Sequence, residues 1–79
     1  MTREAIIELM HSIFLDVFEL EELSLNELTT ALEIEEWDSL THIQLVVALE
    51  KQFQIRFNSS EIQNWKNVGN IIDGIQAKL

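Results

Sequence analysis

Glu36-Trp37-Asp38-Ser39-Leu40, running on into Thr41-His42-Ile43-Gln44-Leu45-Val46-Val47-Ala48-Leu49-Glu50-Lys51-Gln52-Phe53, is the stretch on which the rest of the chain turns. Behind Ser39 an apolar pattern settles into a helical period, with Leu40, Ile43, Val46, Val47 and Phe53 expected along one buried face. Ahead of it the pattern is irregular. Asp38 is therefore the expected N-cap of a helix over 39–53, its carboxylate accepting from backbone N–H groups two or three residues on. A helix start gathers unpaired N–H donors and the positive end of the helix dipole. A hydroxyl placed there suits a phosphate ester.

Working outward, residues 3–18 predict a first long helix. Ile6, Met10, Ile13, Phe14 and Val17 share one face, Thr2 stands at the cap position, and His11 falls toward the polar side. Residues 19–38 hold no helical period. They read as a long loop with one helical turn, packed through Leu23, Leu25, Leu28, Leu32 and Ile34. After the second helix, Gln54-Ile55-Arg56-Phe57 alternates but has no partner strand, so an extended connector is expected. Asn58 and Glu61 have capping-box spacing and predict a short helix near 59–63. Asn67 caps a last helix over 68–78, with Val68, Ile71, Ile72, Ile75 and Leu79 on its apolar face and Gly74 inside it. The expected fold is all-α: a small four-helix bundle of three main helices and one short one, with a long loop between the first and second.

Seventy-nine residues suffice for one domain, 1–79. At 47% hydrophobic, the chain is too apolar for a disordered acidic tail. The absence of cysteine removes disulfides and thiol nucleophiles, and two histidines alone make no transition-metal site. The net charge of −9 argues against nucleic acid, whose phosphates need clustered Lys and Arg, and favours basic protein surfaces as partners. That charge is uneven: residues 1–38 carry eleven acids against Arg3, whereas 39–79 carry three acids against four bases. The apolar runs are broken by Glu8, His11, Asp16, Gln44 and Glu50, and no secretory pattern stands out. A cytoplasmic, monomeric protein without membrane contact is the expectation.

Asp38, Ser39 and His42 invite a hydrolytic triad, but Asp38 adjoins Ser39 and cannot easily orient the far nitrogen of His42. No glycine-rich turn offers an oxyanion hole. Glu33, Glu35, Glu36 and Asp38 lack the spacing and glycine of a calcium loop and read as a solvated acidic rim. No catalytic residue and no metal ligand is assigned. From the residues alone, a modified Ser39 and a Ser39 that only begins a helix are equally good readings.

Asp38-Ser39-Leu40, opening the second helix of an acidic, cysteine-free helical chain of this length, resembles the acyl carrier protein family. The likeness runs through the second helix ending Leu49-Glu50-Lys51-Gln52-Phe53 to the helix led by Val68. It implies that Ser39, flanked by Asp38 and Leu40, carries 4′-phosphopantetheine donated by coenzyme A through a separate phosphopantetheinyl transferase. The arm's thiol would then carry acyl groups as thioesters between loading, condensing or transferase enzymes with basic docking patches, in fatty-acid, polyketide or related metabolism. The implied role is that of a carrier, not an enzyme. An acyl chain could slip between helices, with Val46, Val47, Phe57, Ile62 and Ile71 as candidate pocket residues. Trp37, Thr41, His42, Gln44 and Glu50 are the candidate docking residues. Carriers of the common fatty-acid pathway bear several acids along this helix and often a small residue before Asp-Ser-Leu. Here Glu50 is the acid left on that surface, and Trp37 stands at the junction, where an exposed recognition contact is expected. Trp-Asp-Ser-Leu looks more like carriers of specialised pathways. The alternatives are a non-covalent acidic interaction module with Ser39 as a cap, or an aminoacyl or peptidyl carrier.

Overall fold

The computed structural model describes residues 1–79 and contains no strand. Helix α1 spans Arg3–Val17, α2 spans Ser39–Phe53, α3 spans Ser59–Gln63 and α4 spans Val68–Lys78, with a 3-10 turn at Ala31–Glu33 in the long first connection. The expected all-α four-helix bundle is what forms. No helix is long and apolar enough to cross a membrane.

Capping chemistry sets each boundary. Thr2 accepts from the N–H of Ala5 at the start of α1, and Asn67 accepts from that of Asn70 at the start of α4. At α3 the box is reciprocal: Asn58 accepts from the Glu61 N–H, and the Glu61 carboxylate accepts from the Asn58 N–H. Helix α2 ends at Gln54, whose left-handed backbone (φ 55°) turns the chain out toward the connector.

Helix α1 packs against both α2 and α4. Ile6, Met10, Phe14, Leu45, Leu49, Val68, Ile71, Ile72 and Ile75 are wholly buried, and Phe18, Ile34 and Phe53 complete the core. The inner face of α2 is therefore Leu45, Leu49 and Phe53; of the expected stripe Phe53 is buried and Val46 half-buried. Leu40, Ile43 and Val47 face outward, 66%, 62% and 44% exposed. The true stripe begins at His42, a residue counted as polar, so its first turn was disguised. On α4 the expected face holds except at Leu79, which is exposed.

The first connection is also held differently from expectation. Ile34 is buried and Leu23 and Leu25 are half-buried, but Leu28 and Leu32 project into solvent. Polar contacts do much of the anchoring. The N–H groups of Val68 and Gly69 donate to the carbonyls of Thr29 and Glu27, at 2.9 and 2.8 Å. Arg3 donates to the carboxylates of Glu27 and Asp73 and to the side-chain oxygen of Gln76, tying the N-terminus, the loop and α4 together. These contacts lower the pKa of Glu27 and raise that of Arg3. His11, expected to be solvated, is half-buried; its Nε2–H donates to the Leu23 carbonyl at 2.8 Å and pins the loop to α1.

Candidate functional site

The junction into α2 is built from its backbone. Asp38 is extended (φ −119°, ψ −171°), which aims its carboxylate back over the first turn. One carboxylate oxygen accepts from the N–H groups of Leu40 and Thr41, both at 3.0 Å. The Thr41 hydroxyl accepts from the Asp38 N–H at 2.8 Å and donates to the Glu36 carbonyl at 2.7 Å. The Thr41 N–H, and then that of Leu40, hold the Asp38 carboxyl below its ordinary pKa, so the cap is a fixed anion. Asp38 and Thr41 are thus occupied in shaping the bend.

Ser39 is the first residue of α2 and is exposed. Its hydroxyl has no partner within the protein, and neither has its backbone N–H. It opens onto a cleft of about 530 Å³ lined by Ala31, Trp37, Asp38, Ser39 and His42. Nothing covers the oxygen, and an unspent N–H lies beside it at the positive end of α2. Those features fit a phosphodiester joined to Ser39.

Trp37 corrects an expectation. It is half-buried, with its ring edge-on to Phe14 (5.3 Å, 81°) and beside Phe18 (5.7 Å). Its Nε1–H donates to His42 Nδ1 at 2.9 Å. Trp37 therefore packs the loop–helix junction onto α1 and is not the fully exposed residue expected, while it still borders the open cleft at Ser39. Because Nδ1 accepts, the His42 proton sits on Nε2, and burial pushes the imidazole pKa down. His42 makes no hydrogen bond to Ser39, so no charge relay can activate this hydroxyl from within the chain.

The other candidate residues are dispersed. Glu50 is half-buried and its carboxylate accepts from the Phe57 N–H at 2.9 Å, holding the connector against α2. Gln44 is exposed on the outer face of α2, alongside Leu40, Ile43 and Val47. Val46, Phe57 and Ile62 are half-buried, and Val47 lines an open groove with Glu50, Ile55 and Arg56. Of the five candidate pocket residues, Ile71 alone reaches a cavity next to the Ser39 cleft. Two participants were not legible beforehand. Trp65 sits beside His42 through the fold, and Ala31 reaches Ser39 from the 3-10 turn; a lone aromatic between two capped helices was the available signal for the first.

A family profile described as a phosphopantetheine attachment site matches residues 8–75. Among solved structures, the chain is similar to the holo acyl carrier protein of Geobacter metallireducens, with 38% identity and a TM-score of 0.84 over 90% of this chain and 82% of that one. It also shares its fold with a proposed acyl carrier protein of Mycobacterium tuberculosis, at 21% identity and a TM-score of 0.78 over 89% and 93% of the two chains. A comparison with curated protein sequences gave no match. The profile covers most of the chain, and the holo carrier is similar over nearly all of it. The chain belongs to the acyl carrier protein family, as a non-catalytic carrier of acyl thioesters on a phosphopantetheine arm.

Proposed function

We propose that Ser39 is the residue to which the arm is joined. The observation that carries this reading is the combination at Ser39 of an uncovered hydroxyl, an unpartnered N–H and the first turn of a fifteen-residue helix. Ser59 also opens a helix, but a five-residue one. Joining requires the Ser39 oxygen to bond to the pantetheine-side phosphorus of coenzyme A. Adenosine 3′,5′-bisphosphate leaves with the electron pair, and the hydroxyl proton passes to the transferase. The chain supplies the bend, the exposed oxygen and a favourable field; the arm, once present, supplies a thiol for thioester exchange.

Incubation with coenzyme A and a broad-specificity phosphopantetheinyl transferase tests the assignment by intact mass. One phosphopantetheine is expected on the wild type and on Ser59→Ala, and none on Ser39→Ala. An unmodified wild type would leave an acidic interaction module, and modification of Ser39→Ala would move the attachment elsewhere.

The outer face of α2 is the proposed docking surface for the transferase and the acyl-processing enzymes. Leu40, Ile43 and Val47 are apolar yet exposed on the helix that begins at Ser39, and the acids at 33, 35, 36 and 38 lie just ahead of it. Partners with an apolar pocket and a basic rim fit that arrangement. Ile43→Glu is expected to slow transfer by such enzymes while leaving the thermal midpoint unchanged. Unaltered kinetics would remove this face from the docking account.

A further inference from the structure

Two cavities meet beside Ser39. The open cleft described above shares Ala31, Trp37 and His42 with a narrow chamber that is also lined by Trp65, Ile71, Lys66 and Asn67 and holds only about 70 Å³. The chamber ends where it does for an identifiable reason. His42 lies against the Trp37 ring (6.1 Å between centroids, 20° between planes) and meets Trp65 edge-on (5.9 Å, 75°). Trp65 in turn meets Phe57 edge-on (4.9 Å, 86°), and Trp37 is braced on Phe14. A continuous row of rings thus crosses from α1 to the connector ahead of α3. Leu45, Leu49, Ile71, Ile72 and Ile75, in the core, have no exposed surface.

Capacity follows from the volume. A dry cavity of about 150 Å³ takes up benzene, with its six carbons, so one of half that size has room for about three. A longer chain would have to push Trp65 or Trp37 aside, losing edge-on ring contacts and the Trp37–His42 hydrogen bond. Apolar burial favours entry only as far as space exists; close-packed interiors resist added methylenes.

Resting on Ser39 as the attachment point, we propose that Trp65, with Trp37 and His42, sets a chain-length stop: the chamber covers acyl groups of about two to four carbons and keeps longer ones out of the core. This carrier is thereby fitted to short-chain acyl thioesters, sheltering them while leaving long chains in solvent. Trp65 is the specificity-determining residue because its indole lines the chamber and is held there edge-on to both His42 and Phe57.

The test uses the full chain loaded from acetyl-, butyryl- and octanoyl-coenzyme A, with loading verified by intact mass. Thioester cleavage by hydroxylamine is compared with cleavage of the matching free acyl-coenzyme A, and the Ile71 methyl resonances are followed. Butyryl is expected to be cleaved several-fold more slowly on the protein than free and to shift Ile71. Octanoyl is expected to be cleaved at its free rate. In Trp65→Ala, protection should extend to octanoyl. Octanoyl protected in the wild type as well as butyryl would overturn the proposal, as would a series with no protection at any length. If Trp65→Ala does not fold, the wild-type series decides alone. Failure to load removes the attachment reading itself, a result that intact mass distinguishes from both.

Discussion

The two long helices that begin inside the chain, α2 and α4, start in the same way and end up with opposite surroundings. Both have an extended capping residue, Asp38 or Asn67, whose side chain takes a first-turn N–H. At α4 the remaining donors are used: the N–H groups of Val68 and Gly69 reach the carbonyls of Thr29 and Glu27, and Val68 and Gly69 are buried. At α2 the Ser39 N–H is unused and Ser39 to Leu40 lie in solvent. One helix start is closed by the long loop and holds the fold; the other is left open by the same loop and holds the candidate site. A single connection does both, since residues 27–29 clamp α4 while Ala31 and Trp37 border the cleft at Ser39.

The sharpest way to break the closed end is at Gly69. A Cβ there would stand 3.1 Å from the Glu27 carbonyl oxygen and 3.2 Å from Asn67 Oδ1, so both the loop and the cap must shift. Gly69→Ala is expected to cost about 1–3 kcal/mol, the usual range for overpacking, measured by urea unfolding. Loading of Ser39 in the folded fraction should persist, because the open end shares no hydrogen bond with the clamp. Loss of loading without loss of stability would show that the two ends are coupled and that the contrast is false.

Gly74 provides the opposite case on the same helix. An added Cβ would meet Phe57 Cε1 at 3.6 Å and Trp65 Nε1 at 3.8 Å, both ordinary contacts. Gly74→Ala should therefore stabilise the protein by up to about 1 kcal/mol through helix propensity, seen as a higher urea midpoint at constant slope. A destabilised variant would mean that the Phe57–Trp65 pair has less freedom than its spacing implies, which would bear directly on the chamber that Trp65 lines.

Legibility in the sequence follows the range of the interactions involved. The bounds of α2, α3 and α4 were readable because Asp38, Asn58 and Asn67 write them locally, within three residues. Ser39 stood out as the candidate because Asp-Ser-Leu sits on one of those bounds. The inner face of α2 was not, because its first turn is a histidine whose burial depends on Trp37 and Trp65, tryptophans that lie five residues before it and 23 after it. For the same reason Trp37 looked like an exposed recognition residue: nothing near it in sequence announces Phe14 and Phe18 as its neighbours. The anchoring of the loop by His11 and Arg3 was equally hidden, since it rests on pairings with Leu23, Glu27 and Asp73 across the fold.

The smallest expected effect tests whether the open end is as fixed as the closed one. Burial lowers the His42 pKa in the folded chain, so the unfolded chain, with an ordinary value near 6.5, takes up a proton first as pH falls. This contribution to stability is complete above about pH 6.5 and is lost as pH drops through the lower, folded value. Protonation also removes the Nδ1 acceptor, so the Trp37 hydrogen bond breaks at the same step. Both tryptophans of the chain touch His42, which makes intrinsic fluorescence a direct reporter. A change in emission is expected at a midpoint below pH 6.5 in the wild type. It should be absent in His42→Phe, which keeps a ring between the two indoles but cannot titrate. The same midpoint in both proteins would assign the step to a group other than His42. The open end would then owe its shape to ring packing alone, with the Trp37–His42 hydrogen bond contributing nothing that pH can remove.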